Sequence, residues 1–365
     1  MVVSKVKGIV LSSLERLRNA TILRAETGLK LSSPPLCQLA REVATKKVVY
    51  IGEVHSKVKI VDLELAVLSA LTDQVRQNSA FLDVFVEHFC LEQQKLIDLY
   101  IKGDISEEDL FDLYKETGEE GHQLEFYQPI LEYMKEHKDV VRLKAGFVPR
   151  RYARLLMKEG EETAYEKVIE LGYMAKKDML EGTDQHYDFF ESLISGRNLD
   201  SWIDPSDRYR KIFLAQILKD CVMASVIKRG IKASTNPKDK FLVIAGSGHV
   251  DHRFGVPERV DMGSEVAPED TAIVTCRSRD LLTDQVEGTP FVVEKFKHQS
   301  PGQFVYFYDD EEEDVKAEIA EAYDAVGKTA HIQGDMDLAA KVMTRLGYTA
   351  DQIKQAKDDA ANYQV

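Results

Sequence analysis

The chain has 365 residues, a length that allows two domains or one large α/β domain with an appendage. Hydrophobic residues make up 44% and charged residues 30%, which is typical of a soluble globular protein with a sizeable core. The formal net charge of -14, without a long stripe of Lys and Arg, argues against a nucleic-acid binder, because phosphate backbones attract clustered basic side chains.

Residues 1–44 are predicted to form an N-terminal helical segment. Residues 3–24 are basic and amphipathic and contain a single acid, Glu15. This pattern favours a surface helix, with an organelle-targeting segment as the alternative, because no secretory signal followed by a cleavage site is present. No apolar run in the chain approaches the ~20 residues that span a bilayer, so we expect no transmembrane segment.

Residues 45–280 alternate strands with helices and are predicted to form an α/β domain. Apolar or β-branched runs predict strands at 47–52, 81–89, 139–147, 240–249 and 271–276. Helices are predicted at 57–72, 91–101, 106–116 and 128–137. Because strands separated by helices form βαβ units, we predict a mainly parallel central sheet flanked by helices. The helical stretch at about 149–230 is too long for one crossover and predicts a helical cap.

Residues 281–365 are predicted to be an acidic, mostly helical C-terminal extension. After a short apolar run at 303–308, residues 309–365 hold 14 Asp and Glu against 6 Lys and Arg. Three helices are predicted there, near 314–327, 335–346 and 349–362. The acidic block that opens this region is typical of a solvated helix start, and binding of a metal ion or a protein partner is the alternative interpretation.

The four cysteines form no C-x-x-C pair, which argues against a cysteine zinc site. Cys90 and Cys221 lie within apolar stretches. We therefore predict free thiols, in a soluble intracellular protein of a reducing compartment.

Four predicted strands end in polar or glycine-rich sequence. These residues are Glu53 and His55 after the first strand, Glu87 and His88 at the end of the second, Arg150 beyond the third, and Gly246, Gly248, His249 and His252 after the fourth. Because the carboxyl ends of parallel strands share one edge, where ligands of such sheets bind, we expect these groups to converge. The sequence therefore predicts a ligand site at this edge.

The residue types at this edge suit two kinds of chemistry. Histidines combined with glutamates can hold a divalent cation such as Zn, Mn or Fe, and the predicted metal ligands are His55, Glu87 and His249. The same three residues together with Glu53 can instead activate water as general bases. Glycines allow sharp turns beside a ligand and offer N–H donors.

One predicted helix, at 213–230, adds two polar side chains. Gln216 and Asp220 lie one turn apart in the stripe that contains Met223, so they either support the site or mark the solvent edge of the helix. The remaining histidines have no such context and are predicted to lie at the surface or in loops. They are His122, His137, His186, His298 and His331.

Five segments, in the same order, resemble the ChaN-like family of haem-binding proteins within the Tiki/erythromycin-esterase superfamily. The first segment starts with IGEVHS, the second with FVEHF and the last with LVIAGSGH. Together the five cover about 45–260. The matching segments are residues 51–71, 85–110, 126–137, 213–227 and 242–260. The tail beyond about 281 matches no part of that family.

This resemblance implies an α/β core with helical insertions and a haem ligand. In the enzymes of the superfamily the matching positions form the active centre; here they are Glu53, His55, Glu87 and His249. Gln93, Gln216, Asp220, Pro257 and Arg259 also fall on family motif positions, without an assigned role.

Two features depart from the family pattern. Members often carry further histidines soon after the first motif, whereas this chain has SKVKIVDLE there. In a ChaN-like haem complex a tyrosine is the expected iron ligand, and none of the 15 tyrosines here lies in a motif that identifies it.

Three interpretations follow. The first is a haem- or iron-binding protein, the second is a metal-dependent hydrolase that activates water with the Glu/His cluster, and the third is a non-catalytic scaffold. The expected partner is haem or another small molecule, and a homodimer is also allowed.

Overall fold

The structure is a computed structural model that describes most of the chain up to Asp309. The described residues are 5–32, 34–117, 121–196, 209–264, 266–282, 287–293, 296 and 299–309. The three helices predicted within 314–362, and also His298 and His331, lie outside these residues. Over the described ranges, no helix combines the length and apolar character required to cross a bilayer.

Eight strands form a single sheet. They are β1 (Thr21–Arg24), β2 (Leu29–Lys30), β3 (Val48–Glu53), β4 (Leu82–Cys90), β5 (Val141–Phe147), β6 (Lys240–Gly246), β7 (Thr271–Ser278) and β8 (Phe304–Tyr308). Their order is β2-β1-β8-β7-β3-β6-β4-β5. The six strands from β8 to β5 are parallel to one another, and β1 is antiparallel to both β8 and β2. The predicted mainly parallel sheet is confirmed.

Eleven α-helices lie within the described residues. They are α1 (Lys5–Arg16), α2 (Pro35–Ala44), α3 (Val58–Gln77), α4 (Gln94–Lys102), α5 (Glu107–Thr117), α6 (Gln128–Glu136), α7 (Arg150–Glu159), α8 (Glu161–Glu170), α9 (Asp184–Ser195), α10 (Arg210–Ala233) and α11 (Val256–Asp261). The predicted helices of the βαβ units correspond to α3, α4, α5 and α6.

Helices cover both faces of the parallel strands. In β3, Val49 and Ile51 face one side and pack in a core with α1 to α6, whereas Val48 and Tyr50 face the other side. The second core contains Met223 of α10 together with residues of α11. Since both faces are buried, the strands consist of nearly continuous apolar residues, as parallel strands do.

Helices α7 to α10 form the region that was expected to be a cap. Their apolar side chains, including Tyr187 and Phe213, make a cluster of their own. Helix α10 also packs against β5 and α11, so it belongs to both the cap and the sheet domain. Polar residues of α10 can therefore reach the carboxyl edge of the sheet.

The sheet extends beyond the predicted 45–280 domain at both ends. The first compact unit ends at Asp309, and it includes β1 and β2 from the N-terminal segment and β8 from the C-terminal region. The sequence signal for these strands is weak because β1 has only four residues within a basic amphipathic run. The apolar run at 303–308 is β8, which lies between β1 and β7.

We predict that Phe307→Ala lowers the free energy of unfolding by about 3–5 kcal/mol, because Phe307 is fully buried between β1 and β7. Urea denaturation followed by circular dichroism measures this loss. The matched control is Leu281→Ala at a side chain that is 53% exposed, for which we expect a change within about 0.5 kcal/mol. Equal, small effects of both substitutions would show that β8 contributes nothing to the domain.

Candidate functional site

Polar side chains meet at the carboxyl ends of the central strands. Glu53 is the last residue of β3 and pairs in register with Gly246, the last residue of β6. Glu87 lies near the end of β4, on the other side of β6. The parallel arrangement thus brings together carboxylates that are 34 positions apart in the sequence, as the strand-end argument predicts.

The carboxylate of Glu53 is the centre of this arrangement. One oxygen, Oε1, lies 2.5 Å from Nδ1 of His55 and 2.8 Å from Nε2 of His88, and it accepts a hydrogen bond of 3.0 Å from the Tyr127 hydroxyl. Burial favours the neutral acid, but the neighbouring charges of His88 and His55 outweigh it and hold the pKa of Glu53 well below its usual value. The residue is therefore a buried carboxylate that fixes two imidazoles.

A third histidine, His122, joins these two imidazoles. The ring of His122 lies 4.7 Å from that of His55 and 4.9 Å from that of His88. One nitrogen from each of the three rings lies within 4.8 Å of the others. His88 is buried, whereas His55 and His122 are half-buried. We call these three residues the imidazole cluster.

Glu87 connects the imidazole cluster to His249. Its Oε2 accepts the Gly246 backbone N–H at 2.6 Å, and its Oε1 lies 3.8 Å from Nε2 of His55 and 3.6 Å from Nε2 of His249. Burial raises the pKa of Glu87, but the charges of His249 and His55 outweigh burial and hold the pKa well below its usual value. The structure therefore brings together Glu53, His55, Glu87 and His249.

Helix α10 positions His249. Nδ1 of His249 lies 2.5 Å from Oδ1 of Asp220 and 2.9 Å from the amide nitrogen of Gln216. Burial lowers the pKa of His249, but the charges of Glu87 and Asp220 raise it to about 9. Metal binding by His55, Glu87 and His249 stays a prediction.

Gly246 makes room for the site. A Cβ atom at this position would lie 3.1 Å from Nε2 of His55 and 3.3 Å from Oε2 of Glu87. These contacts are tighter than ordinary packing, so a side chain at position 246 would displace one of the two groups. Gly248 is less restricted, since its nearest neighbour would be Leu193 of α9 at 3.4 Å.

The structure places two predicted site residues apart from the Glu53 arrangement. His252 has a left-handed backbone with φ of 57° and is buried among the rings of Phe189, Phe254 and Phe296, where burial lowers its pKa to about 3. Arg150 begins α7 and, among the described residues, its side chain makes no hydrogen bond or ion pair. Cofactor binding by His252 and Arg150 stays a prediction.

Sequence reasoning missed three residues of the site: His122, Tyr127 and Glu64. His122 and Tyr127 come from the loop and 3-10 turn before α6, where no periodic pattern marks them. Glu64 was detectable, because an acid lies in the apolar stripe of α3 with Val61 and Leu68. Burial, followed by the charge of Glu53, holds the pKa of Glu64 well above its usual value, so this acid is neutral.

Other positions of the family motifs have structural contacts. Gln93 is buried, and its side chain accepts the Cys90 N–H at 2.9 Å and donates to the Thr117 hydroxyl at 2.7 Å, which closes the turn after β4. Arg259 is buried and donates to the Gly255 carbonyl at 2.8 Å and to carbonyls of the cap. Pro257 lies in the first turn of α11, a position that tolerates proline.

The prediction that His186 lies at the surface or in a loop is wrong. It belongs to α9, is fully buried, and stacks on Phe254 with a ring distance of 5.4 Å. Aromatic neighbours from α10 and from the segment before α11 cover it, and these distant contacts leave no local sequence signal.

Comparison with known proteins confirms the family resemblance. The family described as "Haem-binding uptake, Tiki superfamily, ChaN" matches residues 39–260. No curated protein matches the chain. A structure of ChaN from Campylobacter jejuni with cofacial haem has 17% identity and a TM-score of 0.53, covering 80% of this chain and 97% of that one, which shows a shared fold.

Two further solved structures are similar at lower scores. An erythromycin esterase mutant, EreC, in its open conformation has 16% identity and a TM-score of 0.39, covering 71% of this chain and 77% of that chain. The type III effector HopBA1 has 12% identity and a TM-score of 0.41, covering 80% and 98%.

We predict that Asp220→Asn lowers the pKa of His249 from about 9 toward the ordinary value of 6.5, because one of its two negative partners is lost. The imidazolium stabilises the wild-type fold fully below about pH 6.5, and this stabilisation is lost as pH rises through about 9. NMR titration of the His249 ring protons measures the shift. Asp178→Asn, which removes a carboxylate that contacts α10 at Lys228, is the control and leaves this pKa unchanged.

Proposed function

The chain belongs to the haem-binding uptake family of the Tiki superfamily that includes ChaN, and on this premise we propose that it binds haem at the carboxyl edge of the sheet. The observation that carries the proposal is the half-exposed imidazole of His55, which a buried carboxylate holds in place at the rim. A ligand that enters from solvent can reach this ring, whereas His88 beneath it is buried.

His55 has the chemistry of a haem iron ligand. Imidazole is a common axial ligand of haem iron, and a hydrogen bond from its second nitrogen to a carboxylate fixes the ring and increases its basicity. In this site Glu53 engages Nδ1 of His55 at 2.5 Å. Nε2 is therefore the atom through which His55 would bind iron.

A tyrosine is the expected iron ligand in a ChaN-like haem complex. Tyr127, the tyrosine beside the imidazole cluster, is unsuited to that role. The Tyr127 hydroxyl donates to Glu53 and accepts the backbone N–H of Ser56 at 3.1 Å. Burial, together with the charge of Glu53, raises the pKa of Tyr127 well above its usual value. A phenolate ligand would lose the hydrogen bond that the hydroxyl donates to Glu53 and would place a second negative charge beside that carboxylate, so the geometry favours His55.

Residues around the rim suit the remainder of a haem molecule. Leu193 of α9 is 47% exposed and neighbours Gly248, so it offers apolar contact for a porphyrin face. Phe147 is fully buried and packs its ring 4.9 Å from that of His249, which supports the floor of the site. Lys219 lies 5.0 Å from the Phe147 ring and would offer a cation to a propionate group.

A second candidate function is metal-dependent hydrolysis, favoured by the contacts of His249. Asp220 orients the imidazole, and its other nitrogen faces Glu87 at 3.6 Å. An imidazole held between two carboxylates can give or accept a proton at a reacting group, which is general acid–base catalysis. In this alternative Glu53, His55, Glu87 and His249 are the catalytic residues, with Asp220 as the positioning residue.

Titration with hemin tests the haem proposal. We expect a Soret band that saturates, and we expect His55→Ala to shift the band and to weaken binding at least about tenfold, because the iron ligand is lost. His137→Ala is the control, since His137 contacts Arg76 and Tyr133 and not the cluster. A Soret band that is identical in His55→Ala would reject His55 as the ligand, and its absence in the wild type would reject haem binding.

Turnover measurements test the hydrolase alternative. Protein loaded with Mn²⁺ or Zn²⁺ is assayed against a panel of chromogenic esters, and we expect His249→Gln to lower kcat about 100-fold or more with a smaller effect on KM. Asp178→Asn is again the control. If metal-loaded wild type hydrolyses no ester faster than His249→Gln does, the site is not an esterase of this kind.

A further inference from the structure

We propose that a groove at the amino ends of the parallel strands binds a small phosphorylated molecule that is rich in hydroxyl groups, with its phosphate held by Lys47, Lys238 and Lys240. The groove lies at the end of the sheet opposite to Glu53, ~20 Å away along β3 at about 3.3 Å per residue. This site is separate from the proposed haem and hydrolase site and does not depend on it.

The groove has the size of a small-molecule site. Its volume is about 650 Å³, within the range of roughly 300–1,000 Å³ that ligand pockets have. Lys47 precedes β3, Lys240 begins β6 and Asp270 precedes β7, so the starts of three neighbouring strands line it. The C-terminal ends of α2, α3 and α10 form its other walls.

Positive charge dominates the lining of the groove. Its charged side chains are Lys47, Lys238, Lys240 and Asp270, three cations against one acid in a chain whose net charge is -14. Within the part of the chain that the structure describes, none of the three lysines forms an ion pair with a carboxylate. The three ammonium groups are therefore available to an anion.

Hydrogen bonds to the backbone hold two of these ammonium groups beside the neighbouring lysines. Nζ of Lys47 donates to the Pro237 carbonyl at 3.0 Å, next to Lys238, and Nζ of Lys240 donates to the Lys46 carbonyl at 2.6 Å, next to Lys47. An ammonium group has three N–H donors, so both keep donors for a ligand. Phosphate oxygens accept such charge-assisted hydrogen bonds strongly.

Mutual repulsion of the lysines favours a bound anion. Burial, followed by the charges of Lys47 and Lys238, lowers the pKa of Lys240, and burial also lowers the pKa of Lys47. Asp239 offsets this only in part at Lys47, because its buried carboxylate already accepts hydrogen bonds of 2.8 and 2.7 Å from a neighbouring N–H and a neighbouring O–H. A phosphate among the three lysines would reduce their repulsion.

The nearby helix ends do not account for the lysines. Helix C-termini carry partial negative charge, which basic side chains can offset. Here, however, neutral side chains cap carbonyls of the last turns, Thr45 at the end of α2 and Asn78 at the end of α3. The ammonium groups of Lys47 and Lys240 donate instead to carbonyls beyond the helix ends.

Neutral side chains of the groove suit the rest of the ligand. Gln74 and Thr235 line the groove, and among the described residues their side chains have no hydrogen-bond partner. Amide and hydroxyl groups can both donate to and accept from hydroxyl groups of a ligand. Ile231 and Val266 add apolar contact. The lining therefore favours a phosphorylated polyol, such as a sugar phosphate, over inorganic phosphate.

Calorimetric titration of the full-length chain at constant ionic strength tests this site, with glucose 6-phosphate, glucose and inorganic phosphate as probes. We expect saturable one-site binding of glucose 6-phosphate, at least about tenfold tighter than that of either other probe. Lys238→Gln and Lys240→Gln should each weaken it at least about tenfold, because a charge-assisted hydrogen bond is lost. Lys232→Gln is the control, since Lys232 is exposed in the last turn of α10 and does not line the groove.

Thermal unfolding separates binding from a structural role. Without ligand, we expect Lys238→Gln to unfold at the same Tm as the wild type or a higher one, because a repulsive charge is removed. Glucose 6-phosphate should raise the Tm of the wild type and of Lys232→Gln but not that of Lys238→Gln.

Three results would overturn the site. They are no saturable binding by the wild type, equal affinity of the wild type and a folded Lys238→Gln, and a Tm of Lys238→Gln that is lower without ligand but rises as much as that of the wild type with it. Equal affinity for glucose 6-phosphate and inorganic phosphate would overturn the contacts assigned to Gln74 and Thr235.

Discussion

The buried carboxylate of Glu53 is the interaction on which the rim of this protein depends. A charge that is 1% exposed is tolerated because three donors converge on it, from the loop after β3, from β4 and from the turn before α6. The same three bonds fix the orientation of His55, His88 and Tyr127. The need to stabilise one buried carboxylate thus positions side chains that come from separate parts of the chain.

Two layers of the fold contribute to the site. The parallel strands place Glu53, Glu87 and Gly246 side by side at their carboxyl ends, where the backbone N–H of Gly246 holds Glu87. Helix α10 then brings Asp220 and Gln216 against His249 from the side of the cap. Since α10 packs in both the cap cluster and the sheet core, this one helix links the cap to His249.

The sequence was sufficient to predict the sheet and much of the rim, because strand ends are local signals and parallel topology determines where they meet. Glu53, His55, Glu87 and His249 were found in this way. His122 could not be found, since its place depends on the path of a loop, and His186 could not be recognised as buried, since its aromatic neighbours are distant in sequence. Strand β1 was missed because four residues carry too little periodic signal, and its pairing with β8 is a long-range contact.

The neutral carboxyl of Glu64 affects the net charge of the protein interior. Its carboxyl is fully enclosed in α3, close enough to Glu53 that the charge of one raises the pKa of the other, so the pair shares a single proton. The two neighbouring acids therefore add one negative charge to the interior of the sheet domain and not two, which lessens the positive charge needed to balance them.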